Sequence, residues 1–219
     1  TFKALGTSSM NNWCGRRNFI YLHPPKTAGK TLELMLFNQK PKPSTSNHAK
    51  LSTMVGKGYC DPHTGVDFKK LFRGQIKGIK TWSIIISVRN PWARMVSTYF
   101  QGNIPESNTG IEPTRKKLSF KEWVLHSKNP VQPCTMWLET EMKTIEPDYI
   151  IRLESFDDDW LKLPREFKHD RWKDETFIPV TNPSKHEHYS TYYDDETKEY
   201  VADKYSKDIT RFNYTFDIY

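Results

Sequence analysis

Three short apolar runs in the chain are each followed by a polar turn, which is the pattern of parallel β-strands in an α/β fold. They lie near residues 18–23, 83–89 and 148–153. The run Ile84–Val88 is both apolar and β-branched, as buried parallel strands usually are. The pattern predicts an α/β fold in three layers, with a central parallel sheet flanked by helices and joined by right-handed crossovers.

Helical patterns follow the first two strands, an acidic helix start at residues 155–159 follows the third, and a further helical pattern lies near the C-terminus. After the second strand, Asn90 reads as an N-cap and Pro91 as the first helical residue. The apolar face of a predicted terminal helix is formed by Val201, Tyr205, Ile209 and Phe212. With 219 residues the chain is long enough to bury a sizeable core, so residues 1–219 are expected to form a single domain.

The turn after the first strand has the chemistry of an anion cradle. Residues 23–31 read HPPKTAGKT and lead into the helical pattern LELMLF. A strand that passes through a tight turn into a helix directs free backbone N–H groups and the positive end of the helix dipole at an anion. Lys26 and Lys30 add positive charge, while Thr27 and Thr31 add hydroxyl donors. The turn therefore predicts a P-loop-like phosphate site; the alternative is an ordinary turn with solvated lysines.

A nucleotide-hydrolysing P-loop, G-x-x-x-x-G-K-S/T, matches this turn only in its last three positions. Pro24 stands at the first glycine position, and Pro24 and Pro25 both lack an N–H donor. Residues 23–31 resemble more closely H-x-P-K-T-A/G-G-S/T-S/T, the 5′-phosphosulfate loop of sulfotransferases that use 3′-phosphoadenosine 5′-phosphosulfate (PAPS). Lys30 stands where that family more often has a small residue.

A second element, residues 88–99, reads VRNPWARMVSTY. Arg89 lies at the carboxyl end of the predicted strand, where open parallel sheets bind ligands. Its guanidinium can grip a phosphate through two N–H donors, and Ser97 on the following helix can add a hydroxyl. The segment resembles the 3′-phosphate element V-R-D/N-P-x-x-R-x-x-S-x-Y/F of the same family. The alternative is a structural ion pair for Arg89 and an ordinary helix-face serine at position 97.

The resemblance covers roughly residues 18–216 and extends to the stretch NPSKHEHYSTYYDDET at 182–197. Similar stretches precede a terminal helix in the Golgi carbohydrate sulfotransferases and their bacterial and viral relatives. The resemblance implies transfer of a sulfuryl group from PAPS to a hydroxyl, with a carbohydrate as the expected acceptor, adenosine 3′,5′-bisphosphate (PAP) as product and no metal. The donor-binding residues that it implies are Pro25, Lys26, Thr27, Ala28, Gly29, Lys30, Thr31, Arg89, Ser97, Lys185 and Tyr189. For Lys185 and Tyr189, the alternative is a surface position beside a capped helix.

Sulfuryl transfer places developing charge on the bridging oxygen of the leaving phosphate, so positioning and charge stabilisation do most of the work. By analogy with phosphoryl transfer, Lys26 is expected to stabilise that oxygen. His63, in the stretch DPHTGVDF, resembles the position of the family's catalytic histidine. An imidazole with a pKa of about 6.5 can be the neutral base that takes the acceptor's proton. Glu33 is the alternative base, and His23 is expected to shape the loop or contact ligand.

Two other functions stay open on the sequence. A P-loop kinase using Mg-ATP is one, but the strand at residues 83–88 is followed by an arginine where a Walker-B strand carries aspartate. A non-catalytic module that binds a phosphorylated or sulfated ligand is the other, and in it His63 would be dispensable. The net charge of +7 and pI near 9.2 suit a polyanionic ligand. The chain has no basic run and no nucleic-acid motif, so no nucleic-acid partner is expected.

The three cysteines, at positions 14, 60 and 134, match neither a metal pattern nor a disulfide framework, which favours a reducing compartment. No stretch approaches the ~20 apolar residues of a membrane span. A cytoplasmic bacterial or viral enzyme is therefore expected. The alternative is a Golgi lumenal domain from which an N-terminal anchor has been removed.

Overall fold

The computed structural model describes residues 13–14, 19–38, 83–100, 118–126, 131–139, 144–174 and 186–217. The chain divides into two compact units, and each is built from two separate segments. The first comprises Thr1–Val88 and Met136–Thr181, and the second comprises Arg89–Thr135 and Asn182–Tyr219. The single domain expected over residues 1–219 stays a prediction.

A sheet with the strand order β1-β2-β3-β4 forms the centre of the first unit in the described part of the chain. Its strands are β1 (Trp13–Cys14), β2 (Phe19–Leu22), β3 (Ser83–Val88) and β4 (Tyr149–Arg152). β2, β3 and β4 are parallel, which confirms the predicted α/β fold, and their ends lie within one residue of the expected positions. The two-residue β1, which pairs antiparallel to β2, was not expected.

Six α-helices lie within the described ranges. They are α1 (Gly29–Phe37), α2 (Pro91–Phe100), α3 (Phe120–His126), α4 (Phe156–Lys162), α5 (Asp195–Lys204) and α6 (Ser206–Phe212). Short 3₁₀ turns cover Cys134–Trp137, Leu153–Ser155, Arg165–Phe167 and Tyr189–Tyr192. None of these helices is long and apolar enough to span a membrane.

In the described part of the first unit, the core is formed by the strands and by helices α1 and α4. Its buried members are Phe19, Tyr21, Leu32, Met35, Leu36, Ile85, Ile151, Phe156, Trp160, Leu163 and Phe167. Asp148 fixes the start of the β3–β4 pairing, because its carboxylate accepts from the Ile84 N–H at 2.7 Å while its own N–H donates to the Ile84 carbonyl at 2.9 Å. β2 and β3 pair in parallel with Leu22 opposite Ile86, so their carboxyl ends lie at the same end of the sheet.

The second unit is helical and rich in aromatic side chains. Its buried core consists of Trp92, Ala93, Met95, Val96, Phe120, Trp123, Val124, Tyr189, Val201 and Tyr205. The start of α2 follows the predicted pattern: the Asn90 side-chain oxygen accepts from the N–H groups of Trp92 and Ala93 at 3.0 and 3.3 Å, and Pro91 is the first helical residue. Asn90 also donates to the Thr215 carbonyl at 2.9 Å, which ties the start of α2 to the C-terminal segment.

The predicted terminal helix is interrupted, so the expectation of one continuous helix was wrong. α5 ends before Tyr205, whose backbone leaves the helical region at φ −109° and ψ 21°, and α6 begins at the next residue. The Tyr205 hydroxyl donates to the Val131 carbonyl, a contact outside the helix that favours the break. The apolar face was predicted correctly in the main: Val201, Tyr205 and Phe212 are buried, and Ile209 is partly buried.

Candidate nucleotide-binding site

The turn between β2 and α1 adopts a backbone conformation that suits an anion. Lys26 and Ala28 both have left-handed backbone angles, with φ of 69° and 60°. Ala28 is also the N-cap of α1, and its carbonyl accepts from the N–H groups of Thr31 and Leu32 at 2.9 and 3.2 Å. Left-handed residues close together turn backbone N–H groups toward one side, as in anion-binding nests, and the helix N-terminus adds its dipole.

Gly29 provides space for the His23 ring at the start of α1. A Cβ atom on Gly29 would lie 1.6 Å from His23 Nε2, far inside van der Waals contact. The ring is fixed on two other sides: Nδ1 lies 3.0 Å from Glu33 Oε1, and the ring stacks on Tyr21 with a centroid distance of 5.8 Å. His23 and Glu33 are 4% and 8% exposed. The expectation that His23 shapes the loop fits this geometry, and Glu33 is engaged with His23.

Thr27 turns its side chain into the core. Its hydroxyl donates to the Pro24 carbonyl at 2.7 Å and lies 2.6 Å from Ser87 Oγ on β3. Ser87 Oγ lies 2.8 Å from the Tyr21 hydroxyl on β2. Because the one hydroxyl proton of Thr27 is used by Pro24, any donation from Thr27 to a phosphate falls to its backbone N–H.

The seven predicted residues 25–31 form one continuous turn and first helical turn. Lys26 and Lys30 are partly exposed, so their ammonium groups can reach a ligand, while Thr31 is buried. The residues that could hold an anionic group here are therefore the two lysines and the backbone N–H groups of the turn. Within the described ranges, no three His, Cys, Asp or Glu side chains are grouped closely enough to hold a metal ion.

Ala28→Gly should stabilise the protein by a net ~0.5–1 kcal/mol. A left-handed conformation costs a non-glycine residue roughly 1–2 kcal/mol, and part of that gain is lost with the partly buried methyl group and the greater freedom of glycine in the unfolded chain. The check is the urea midpoint of unfolding, with Ala93→Gly in α2 as the matched control that should lose about 1 kcal/mol. A lower midpoint for Ala28→Gly would contradict the assigned strain.

The second predicted element begins where β3 ends. Arg89 follows Val88 directly and is partly exposed, and Ser97 lies on α2 and is 2% exposed. Arg94, the other arginine of the motif, is 1% exposed and donates to the Gln132 carbonyl at 2.9 Å. Arg94 is therefore buried within the second unit, whereas Arg89 is partly exposed to solvent.

Tyr189 is a core residue of the second unit. It is 7% exposed, its hydroxyl accepts from the Asp217 N–H at 2.7 Å, and its ring packs edge-on against Phe216 at 5.4 Å. A contact between Tyr189 and the nucleotide remains a prediction. The observed contacts show that Tyr189 packs in the core of the second unit. The predicted base His63 and the predicted ligand-binding Lys185 both lie outside the described residues.

Sequence reasoning missed the contacts that shape the loop. The pairing of His23 with Glu33 and the hydrogen bonds that join Thr27, Ser87 and Tyr21 were not anticipated. One signal was present: Ser87 is a polar residue inside the apolar run of β3, and it is fully buried. A buried hydroxyl in a strand needs a partner, and the adjacent loop supplies one.

Among known proteins, the chain matches one family over most of its length. The model of the sulfotransferase family matches residues 11–215, which include residues 25–31, residues 88–99 and nearly all of both units. No curated protein and no solved structure matches the chain.

Proposed function

Because the chain belongs to the sulfotransferase family, we propose that it transfers a sulfuryl group from PAPS to an acceptor hydroxyl, with carbohydrate as the acceptor class. The observation that carries the donor assignment is the turn between β2 and α1. It combines two left-handed residues, a helix N-terminus and two lysines within residues 25–31. These features suit the 5′-phosphosulfate end of PAPS.

The donor would be held at both ends by residues of the two elements. Residues 25–31 would take the 5′-phosphosulfate through backbone N–H groups and the two lysines. Arg89 and Ser97 would take the 3′-phosphate, with Lys185 and Tyr189 as further contacts to that phosphate or to the adenine. Arg89 is partly exposed and directly follows a parallel strand, a position where open sheets bind ligands, which supports its assignment to the 3′-phosphate.

PAPS, when bound, supplies a sulfuryl group that is ready for transfer from phosphate to an oxygen nucleophile. Lys26 would place its ammonium where negative charge grows on the bridging oxygen. His63 would take the proton of the acceptor hydroxyl. Glu33 is the weaker candidate for the base, because its carboxylate is buried and paired with His23.

The carbohydrate acceptor rests on the resemblance of residues 182–197 to the carbohydrate sulfotransferases. A net charge of +7 also suits acidic glycans as acceptors. A screen of neutral and acidic oligosaccharides with labelled PAPS would test this class directly. Transfer to tyrosine peptides or to small alcohols, with no transfer to any sugar, would contradict it.

The proposed donor site is tested by calorimetric titration with PAP, compared with ATP and magnesium. Micromolar binding of PAP that ATP does not match would support the assignment. A preference for Mg-ATP would favour a kinase instead. Binding of PAP without turnover of PAPS on any acceptor would favour a non-catalytic binding module.

Arg89→Ala should weaken PAP binding by about 10- to 100-fold, because hydrogen bonds to charged groups contribute about 1.5–3 kcal/mol each. The same titration measures the effect, and Arg89→Lys should give an intermediate value because it keeps the charge and loses the planar fork. Arg171→Ala is the control, since Arg171 is an exposed arginine outside both elements. Equal losses in the two alanine variants would remove Arg89 from the donor site.

A further inference from the structure

Three buried hydroxyls form a directed chain beneath the turn between β2 and α1. Tyr21, Ser87 and Thr27 are 0%, 0% and 1% exposed. The Pro24 carbonyl can only accept, so the Thr27 hydroxyl proton points to it. Ser87 must then donate to Thr27, and Tyr21 must donate to Ser87. Each hydroxyl proton therefore has one assigned acceptor.

The chain of hydroxyls joins the loop to both neighbouring strands. Tyr21 lies on β2, Ser87 lies on β3, and the chain ends at the loop's own Pro24 carbonyl. The two strands are paired in parallel register, so they offer a rigid base. Thr27 is the loop residue that is fastened to this base.

Thr27 lies between the two left-handed residues of the turn. Lys26 and Ala28 hold unfavourable backbone angles that would relax if the surrounding structure allowed it. A side chain fastened at the residue between them opposes that relaxation. The hydroxyl chain thus fixes the direction of the backbone N–H groups before any ligand arrives, and a ligand then need not supply the ordering free energy.

We propose that Thr27, Ser87 and Tyr21 are positioning residues, whose hydroxyl chain holds the 25–31 turn in its anion-binding conformation in the ligand-free protein. The inference rests on the proposed function for its effect on PAP binding, but its effect on the turn itself can be measured without ligand. The three hydroxyls act through the loop backbone rather than on the nucleotide.

The test compares Thr27→Val, which keeps the shape and removes the hydroxyl, with Thr27→Ser, which keeps the hydroxyl. Two quantities are measured: amide hydrogen exchange of residues 26–31 in the ligand-free protein, and affinity for PAP by calorimetry. Thr27→Val should speed exchange in the turn at least tenfold, leave α4 unchanged, and weaken PAP binding about tenfold, a change of about 1.4 kcal/mol. Thr27→Ser should restore both quantities. Ser155→Ala, which removes a hydroxyl that donates to Asp159, is the control and should change neither.

The position of each hydroxyl in the chain predicts a graded series. Ser87→Ala leaves the Thr27–Pro24 bond intact, and Tyr21→Phe leaves the two inner bonds intact, so their effects should decrease in that order. If Thr27→Val does not fold, Tyr21→Phe replaces it as the variant in which exchange and PAP affinity are measured. A Thr27→Val protein that is less stable but exchanges and binds like the wild type would overturn the inference, since the hydroxyl would then be merely structural.

Failure of the proposed function gives a different result. If the wild-type protein does not bind PAP, the donor assignment falls, and exchange alone decides the inference about the turn. Faster exchange confined to residues 26–31 in Thr27→Val would still support the positioning role. Unchanged exchange would overturn it.

Discussion

Replacing Lys26 by methionine should lower kcat for PAPS turnover by about 10²- to 10³-fold, which corresponds to roughly 2.7–4 kcal/mol of lost transition-state stabilisation. Methionine keeps most of the aliphatic length and removes the charge. The left-handed backbone at this position should cost both residues about the same, because both carry a Cβ. The loss should therefore fall on the step in which charge grows on the bridging oxygen.

The rate of PAPS desulfation by water provides a measurement that needs no identified acceptor. The KM for PAPS should change by less than about tenfold, since an interaction made mainly in the transition state affects kcat more than binding. Lys30→Met should show the opposite pattern: a larger increase in the KM for PAPS and a smaller loss of kcat. Lys121→Met is the control, because Lys121 forms a surface ion pair with Asp194 at 2.7 Å. A Lys26→Met enzyme with wild-type kcat would exclude Lys26 from the chemical step.

Gly29→Ala should destabilise the protein by about 2–4 kcal/mol and abolish measurable PAP binding. The added Cβ would lie 1.6 Å from Nε2 and 1.8 Å from Cδ2 of the His23 ring. The ring cannot easily retreat, because Glu33 holds Nδ1 and Tyr21 stacks on its face. The first turn of α1 must therefore move, and the backbone N–H groups at its N-terminus move with it.

Removing the His23 ring tests whether its clash with the added Cβ causes the loss of stability in Gly29→Ala. His23→Ala alone should also destabilise, because the buried Glu33 carboxylate loses its partner. The double variant His23→Ala/Gly29→Ala should be more stable than the sum of the two losses by at least ~1 kcal/mol, since the cavity of one change accepts the methyl group of the other. Urea unfolding of the four proteins completes the cycle. Strictly additive losses would show that the His23 ring is not the obstacle.

The sequence predicted most of the sheet, because strands β2, β3 and β4 have strong local signals. Their apolar runs and the polar turns after them locate each strand to within one residue. The start of α2 was also predictable, since Asn90 and Pro91 carry the chemistry of a helix start. β1 has two residues and therefore no pattern to recognise.

The remaining features depend on contacts between residues that are distant in the chain. The helix break at Tyr205 accompanies a bond to Val131, which no local pattern reveals. Likewise, the composition of the loop predicts an anion site but not its backbone angles. Alanine is an unusual residue for a left-handed N-cap, so the angle at Ala28 had no sequence signal. The hydroxyl chain joins Thr27 to Ser87 across 60 positions, and only the parallel pairing of β2 with β3 places them together.

The interleaving of the two units has a consequence for biosynthesis. The chain passes from one unit to the other after Val88, after Thr135 and after Thr181. On the ribosome, α2 and α3 are therefore completed well before α5, which packs Val201 into the same core. Since the ribosome adds roughly 5–20 residues per second, the apolar faces of α2 and α3 stay without α5 for several seconds. We therefore expect the nascent chain to depend on chaperones during synthesis and to acquire its native helical unit only after residues 182–219 have emerged.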